Sequence, residues 1–202
     1  MANLLVYYAH PGHRHSQVNR KMARAAREID GITFVDLYAE YPRHGIDIDK
    51  EQYRLLDHDV ILFQFPFFWY STPSLIKEWQ DLVLEHGFAY GHGGDRLQGK
   101  RMMLAITAAG PKDAYSEDGY QHFPIRTFLT PLEQTANLCK MVFTPPYVLF
   151  ASLRAPKEDR ADPHVQGYVQ MLQAIRDDRF DFEKAATQDV LSDQNLPILE
   201  AV

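Results

Sequence analysis

Three short segments of the chain are almost wholly apolar. They are Asn3 to Tyr8 (Asn-Leu-Leu-Val-Tyr-Tyr), Asp59 to Phe65 with Val60-Ile-Leu-Phe63 at its centre, and Arg101 to Thr107 enclosing Met102-Met-Leu-Ala-Ile106. None is long enough to cross a membrane, and none shows the in–out alternation of a half-solvated strand. Runs of this kind are strands buried on both faces, and a sheet buried on both faces needs helices to cover it.

The intervening segments supply those helices. Val18, Met22, Ala25, Ala26 and Ile29 share one face at helical spacing, with Ser16 as N-cap and Gly31 as stop. Asp49 to Leu56 reads as a short helix. Pro73 suits the first helical residue, ahead of a stripe of Leu75, Ile76, Trp79, Leu82 and Val83. Pro124 to Leu138 and Pro163 to Asp177 read as helices, the first kinked or restarted at its internal Pro131. Ile32 to Leu37 is a second strand. Met141 to Phe150 is strand-like, but Pro145-Pro146 makes it an edge strand or a broken one. The alternation predicts an α/β protein: a flavodoxin-like doubly wound five-stranded parallel sheet, order 2-1-3-4-5, over residues 1–177. Residues 178–202 are polar and acidic apart from Leu196 to Leu199, and read as a C-terminal arm on a partner or a frayed tail.

Composition removes several functional classes. With 46% hydrophobic and 24% charged residues over 202 positions, the chain is globular rather than disordered. A net charge of −6 argues against a nucleic-acid partner, and the single cysteine, Cys139, makes no internal disulfide. No apolar run reaches membrane-spanning length and no signal peptide is evident, so a cytoplasmic location is expected.

In such sheets ligands bind beyond the carboxyl ends of the strands, near the switch point between strands 1 and 3. The segments after strands 1, 3 and 4 should therefore carry the chemistry. After strand 1 comes Ala9-His-Pro-Gly-His-Arg-His-Ser-Gln-Val-Asn19, which is neither G-x-G-x-x-G nor a Walker loop. It offers a helix N-terminus at Ser16, suited to a phosphate, with His10 and Asn19 as further donors. The plain structural reading is a simple cap with solvated histidines. A metal set of His10, His13 and His15 matches no standard zinc spacing, and no metal is expected. After strand 3, Phe65-Pro-Phe-Phe-Trp-Tyr-Ser-Thr-Pro73 is either core packing or a wall for a planar ring. After strand 4, Thr107-Ala-Ala-Gly-Pro111 lets backbone approach a ligand closely, and Tyr115, Tyr120 and His122 follow in a long loop. A phosphorylated planar cofactor satisfies all three loops, flavin mononucleotide (FMN) foremost and FAD as the alternative.

Several motifs then coincide: Tyr8-Ala-His-Pro11, Ser16-x-x-Asn19, Pro66-x-x-Trp69-Tyr70-x-x-Pro73, Lys77-x-Trp79, Gly87-Phe-Ala-Tyr-Gly-His-Gly-Gly94 and Thr107-x-x-Gly110. Together they resemble the flavodoxin-fold NAD(P)H:quinone oxidoreductases, and among those most of all the ancillary proteins of bacterial glutathione-regulated potassium-efflux systems. The resemblance runs from about Asn3 to Asp177 and does not include the tail. It implies a homodimeric flavoprotein that passes hydride from NAD(P)H to quinones by a ping-pong mechanism. It places the flavin phosphate and ribityl chain on His10, Ser16, Gln17, Val18 and Asn19. The ring falls on Phe67, Phe68, Trp69 and Tyr70 and on Thr107, Ala108, Ala109 and Gly110. Tyr115 and His122 match a catalytic pair that stabilises the reduced ring. Where the family often has Thr-Thr-Gly-Gly, this chain has Thr-Ala-Ala-Gly. The alternative role is that of a regulatory ancillary subunit of a potassium-efflux transporter, held peripherally on the inner face of the cell membrane. A flavodoxin-type electron carrier is disfavoured by the missing Ser/Thr-rich phosphate loop, and a hydrolase by the missing G-x-S-x-G elbow.

Overall fold

A computed structural model describes residues 2–12, 14 and 16–200. Its elements run β1 (Leu4–Tyr8), α1 (Val18–Arg27), β2 (Thr33–Asp36), α2 (Leu37–Glu40), α3 (Ile48–Leu56), β3 (Val60–Pro66), α4 (Ser74–Val83), β4 (Arg101–Thr107), α5 (Ile125–Leu138), β5 (Val142–Phe143), β6 (Tyr147–Leu149), α6 (Ala161–Arg176) and α7 (Phe182–Ala186). The sheet order is β2-β1-β3-β4-β5, with β6 also paired to β4, and every ladder is parallel. The expected five-position order is therefore present. Its fifth position is divided: β5 pairs with the start of β4 and β6 with its end. Pro145 and Pro146 lack the N–H groups that would join the two pieces.

β1 and β3 are buried at every residue, and their alternate side chains feed two separate cores. Leu5, Tyr7, Ile61, Phe63, Leu104 and Ile106 face α4 and α5 on one side. Leu4, Val6, Val60, Leu62, Met103 and Ala105 face α1 and α6 on the other. The register Leu5↔Ile61 and Ile61↔Met102 keeps like faces together across the sheet.

Several local expectations are corrected. Gln17, not Ser16, is the N-cap of α1, although Ser16 Oγ still accepts the Arg20 N–H at 3.2 Å. Pro73 and Pro124 precede their helices as N-caps. Leu82 is exposed. α5 runs unbroken through Pro131. In the Gly87 to Gly94 segment, Ala89 is buried, and Phe88 and Tyr90 pack on the core.

Residues 178–200 fold back on the chain. Leu191 is fully buried; its N–H donates to the Pro146 carbonyl (2.8 Å), and its carbonyl accepts the Val148 N–H (2.9 Å). The chain beyond α6 thus occupies the sheet edge beside β6.

One buried carboxylate ties β1, α3 and α4 together. Glu51 is 0% exposed and accepts from the Tyr7 phenol, from Tyr41 (2.6 Å), from the Trp79 indole (3.0 Å) and from Arg54. Burial and the facing carboxylate push the Tyr7 phenol well above its ordinary pKa, so it stays a donor.

Candidate active site

The carboxyl ends of β1, β3, β4 and β6 converge on one side of the sheet. His10 follows β1 and is nearly buried; its Nδ1 accepts the Gly12 N–H at 3.1 Å, which leaves the proton of the neutral ring on Nε2. Its ring meets Phe68 edge-on at 5.8 Å. Val18 and Asn19 form the first turn of α1, a turn with no acidic residue, so its N–H groups and dipole are free of a competing carboxylate.

After β3 the chain makes a two-residue hairpin. Phe68 and Ser71 exchange backbone hydrogen bonds of 3.2 and 3.0 Å, while Trp69 (φ 49°) and Tyr70 (φ 62°) both sit in the left-handed region. This turn normally recruits Gly or Asn, and two aromatics here store strain. The result is that Trp69 stands 90% exposed above the strand ends. Phe67 stays buried and anchors the hairpin through its N–H to the Thr107 carbonyl (2.9 Å).

After β4, Ala108 turns into the core, Ala109 is exposed, and the buried Gly110 borders a cavity. The loop after β6 closes on this turn: Ala151 N–H donates to the Gly110 carbonyl (2.8 Å) and Ser152 N–H to the Ala108 carbonyl (2.9 Å).

Two adjoining cavities result. The first, about 350 Å³, holds His10, Ser16, Gln17, Val18 and Asn19 at one end and Phe67, Phe68, Thr107 and Ala109 at the other. The second, about 290 Å³, is bounded by Phe67, Trp69, Tyr70, Gly110 and Tyr115. Phe67 and Ala109 belong to both, which makes one two-chambered cleft of ligand size. A larger hollow of about 600 Å³ lies between the end of β6, the start of α6 and the C-terminal segment. Its lining mixes Lys112 and Arg160 with Asp159, Asp189 and Asp193.

The cleft gathers thirteen of the expected site residues and leaves out two. Ala108 is behind the wall. His122 is exposed at φ 61° with its N–H on the Gly119 carbonyl (2.8 Å), and the second chamber draws instead on Tyr120 and Gln121. Tyr115 does reach the cleft, wedged against Phe67, Phe128 and Phe150 at ring distances of 6.3, 6.2 and 5.6 Å. Burial pushes its phenol above the ordinary pKa, so it is a neutral donor near pH 7. Gly110 is closely approached: a Cβ would lie 3.0 Å from the Tyr115 ring and 3.1 Å from the Tyr120 hydroxyl, so a side chain there would require these rings to shift. Of the three histidines weighed as metal ligands, His13 and His15 lie outside the described residues, and no metal-binding cluster occurs among the described ones.

Pro66, Gly12, Ser152 and Leu153 also line the first chamber. Ser152 and Leu153 were legible in principle, because they follow the fifth strand position and the strand-end rule applies there as well. The Pro-Pro break hid that strand's true end.

Residues 2–174 match the family model described as flavodoxin-like fold. The chain is 42% identical over 171 residues to the glutathione-regulated potassium-efflux system ancillary protein KefG of Cronobacter sakazakii, covering 85% of this chain and 92% of that protein. It is 43% identical over 155 residues to the NAD(P)H oxidoreductase YrkL of Bacillus subtilis, covering 77% and 89%. Among solved structures, general stress protein 14 of Treponema denticola in complex with FMN superposes with a TM-score of 0.79 at 34% identity, covering 86% and 99%. An NADPH-quinone reductase of P. pentosaceus superposes with a TM-score of 0.71 at 26% identity, covering 83% and 96%. The chain belongs to the flavodoxin-like family of NAD(P)H:quinone oxidoreductases.

Proposed function

We propose that the protein binds one FMN per chain in the two-chambered cleft and uses it to pass electrons from NAD(P)H to a quinone by a ping-pong hydride relay. The single observation that carries this reading is the cleft itself. It joins a helix N-terminus without a competing acid to an aromatic wall and a close-approaching backbone turn. The FMN complex of the Treponema relative supports the choice of FMN over FAD.

The residues present fit a flavin mononucleotide. His10, Ser16, Gln17 and Val18 would hold the phosphate and ribityl chain at the α1 terminus. Phe67, Phe68, Trp69, Tyr70, Thr107, Ala109 and Gly110 would hold the ring. When bound, the flavin supplies two-electron hydride chemistry. The protein's part is to position and to tune. The Ala109–Gly110 turn keeps backbone at the ring edge, and Tyr115 aims a protonated phenol into the same chamber, where it can stabilise negative charge or give a proton. His122 would assist from the loop beside it. Trp69 and Tyr70 leave an open aromatic face on which nicotinamide and quinone can stack in turn.

Steady-state kinetics with NADPH and a water-soluble quinone test the relay. Parallel double-reciprocal lines are expected; intersecting lines would contradict an alternating single site.

The identity to KefG supports a second role, as an ancillary subunit of a potassium-efflux transporter. Retention of the protein on transporter-containing membranes, against membranes lacking the transporter, tests that role.

A further inference from the structure

β3 carries one fully buried polar side chain, Gln64. Its Nε2 lies 2.9 Å from the backbone carbonyl of Asn19 and 3.2 Å from Asn19 Oδ1, and its Oε1 accepts the Tyr168 hydroxyl at 3.0 Å. A backbone carbonyl can only accept, so the edge of Gln64 that faces it must be the NH2. The same NH2 meets the Asn19 amide, which must then present its oxygen; reversed, two donors would collide. Asn19 Nδ2 is thereby turned to Thr107 Oγ1, at 2.6 Å. Asn19 is 2% exposed, and its side-chain oxygen and one amide hydrogen are engaged inside the protein. At the end of the chain the Thr107 hydroxyl is an acceptor from Asn19, so its own hydrogen has to be given elsewhere. Thr107 lines the first chamber.

We propose that Tyr168, Gln64 and Asn19 form a buried polarity relay that makes the Thr107 hydroxyl a hydrogen-bond donor to the cleft, selecting a ligand that offers an acceptor atom there. Thr107 touches the ligand; the other three are positioning residues. The inference rests on the flavin reading of the cleft, since a flavin ring edge offers carbonyl and imine acceptors. The relay makes a sharp statement about sign. Aspartate at position 19 has only acceptors when ionised, so it would pull the Thr107 proton inward and leave lone pairs facing the cleft. Glu at position 64 would do the same by reversing the Asn19 amide.

The test is FMN titration followed by fluorescence quenching, with riboflavin as a phosphate-free control and the visible absorption band as a second readout. Thr107→Ser keeps the hydroxyl and should stay within about threefold of wild type. Thr107→Val and Asn19→Asp should each weaken FMN and riboflavin about tenfold, the loss of one well-formed hydrogen bond. Both should move the absorption band the same way. The double variant should be no weaker than either single one, because each removes the same bond. If Asn19→Asp does not fold by circular dichroism, Gln64→Glu takes its place in the cycle. Wild-type affinity in Thr107→Val, or losses that multiply in the double variant, would overturn the relay. A wild-type protein that binds neither flavin would instead overturn the flavin reading on which the relay stands.

Discussion

Tyr115 bears the most chemical weight of any one residue in the proposed mechanism. Its phenol is kept protonated by burial and held in the second chamber by three aromatic neighbours. A hydrogen bond to a charged partner contributes about 1.5–3 kcal/mol. Tyr115→Phe should therefore slow a half-reaction about ten- to a hundredfold while leaving flavin content unchanged. His122→Gln should have a smaller effect, because His122 lies outside the lining. Rapid mixing with each substrate, followed by flavin absorbance, checks both; wild-type rates in both variants would leave the backbone turn as the sole stabiliser. A second residue sets acid stability. His164 is fully buried and stacks on Tyr147 at 4.4 Å; neither ring nitrogen has a hydrogen-bond partner among the described residues, Asp193 being 4.0 Å away. Burial, aided by the nearby Arg160 charge, lowers its pKa from 6.5 to about 3. The unfolded chain therefore takes up a proton below about pH 6.5 that the folded chain refuses until about pH 3. This group's contribution is complete above pH 6.5 and falls with acid across that window, by up to about 1.4 kcal/mol per pH unit. Urea unfolding at pH 7.5, 6, 5 and 4 should show a shallower acid loss in His164→Phe than in wild type; equal slopes would remove His164 from the account. Such residues were invisible in the sequence. Glu51 and Gln64 are single polar letters in amphipathic or apolar runs, and their partners lie as far as 44 and 104 positions away.

At the scale of elements, what the pattern carried was the apolar content of strands and the stripe of helices. β1, β3, β4 and the five longer helices follow directly from those signals, with shifts of a residue or two at their ends. α2 spans only four residues, too few for any periodicity to register. Pro131 shows a different limit. α5 continues through it, because Leu129, Leu132 and Ala136 bury the helix against the core on both sides of the proline. The backbone bond that proline cannot donate is still missing. Pro131→Ala should raise the unfolding free energy by about 1–3 kcal/mol, less whatever the more flexible unfolded chain takes back. A thermal midpoint at or below wild type would mean that the helix relies on the proline.

At the scale of the whole molecule, the strand-end rule anticipated where a cleft would form, since three loops far apart in sequence meet where the sheet topology sends them. The fate of the chain beyond Asp177 was not legible. Leu191 looks like an isolated apolar residue in an acidic stretch, and only the edge left beside β6 explains its burial. The rim of the cleft is a cluster of exposed aromatic and aliphatic side chains, with Trp69 at 90% and Leu153 at 77%. A second copy of the chain covering that rim is expected to make the protein a homodimer. Sedimentation velocity at micromolar concentration should give the dimer mass, and a fully active monomer would contradict it. The catalytic expectations depend on the occupant of the cleft. The visible absorption spectrum of the purified protein, with the cofactor released and identified, tests that most directly. The account predicts a yellow protein carrying one FMN per chain; a colourless protein that takes up no added flavin would contradict it.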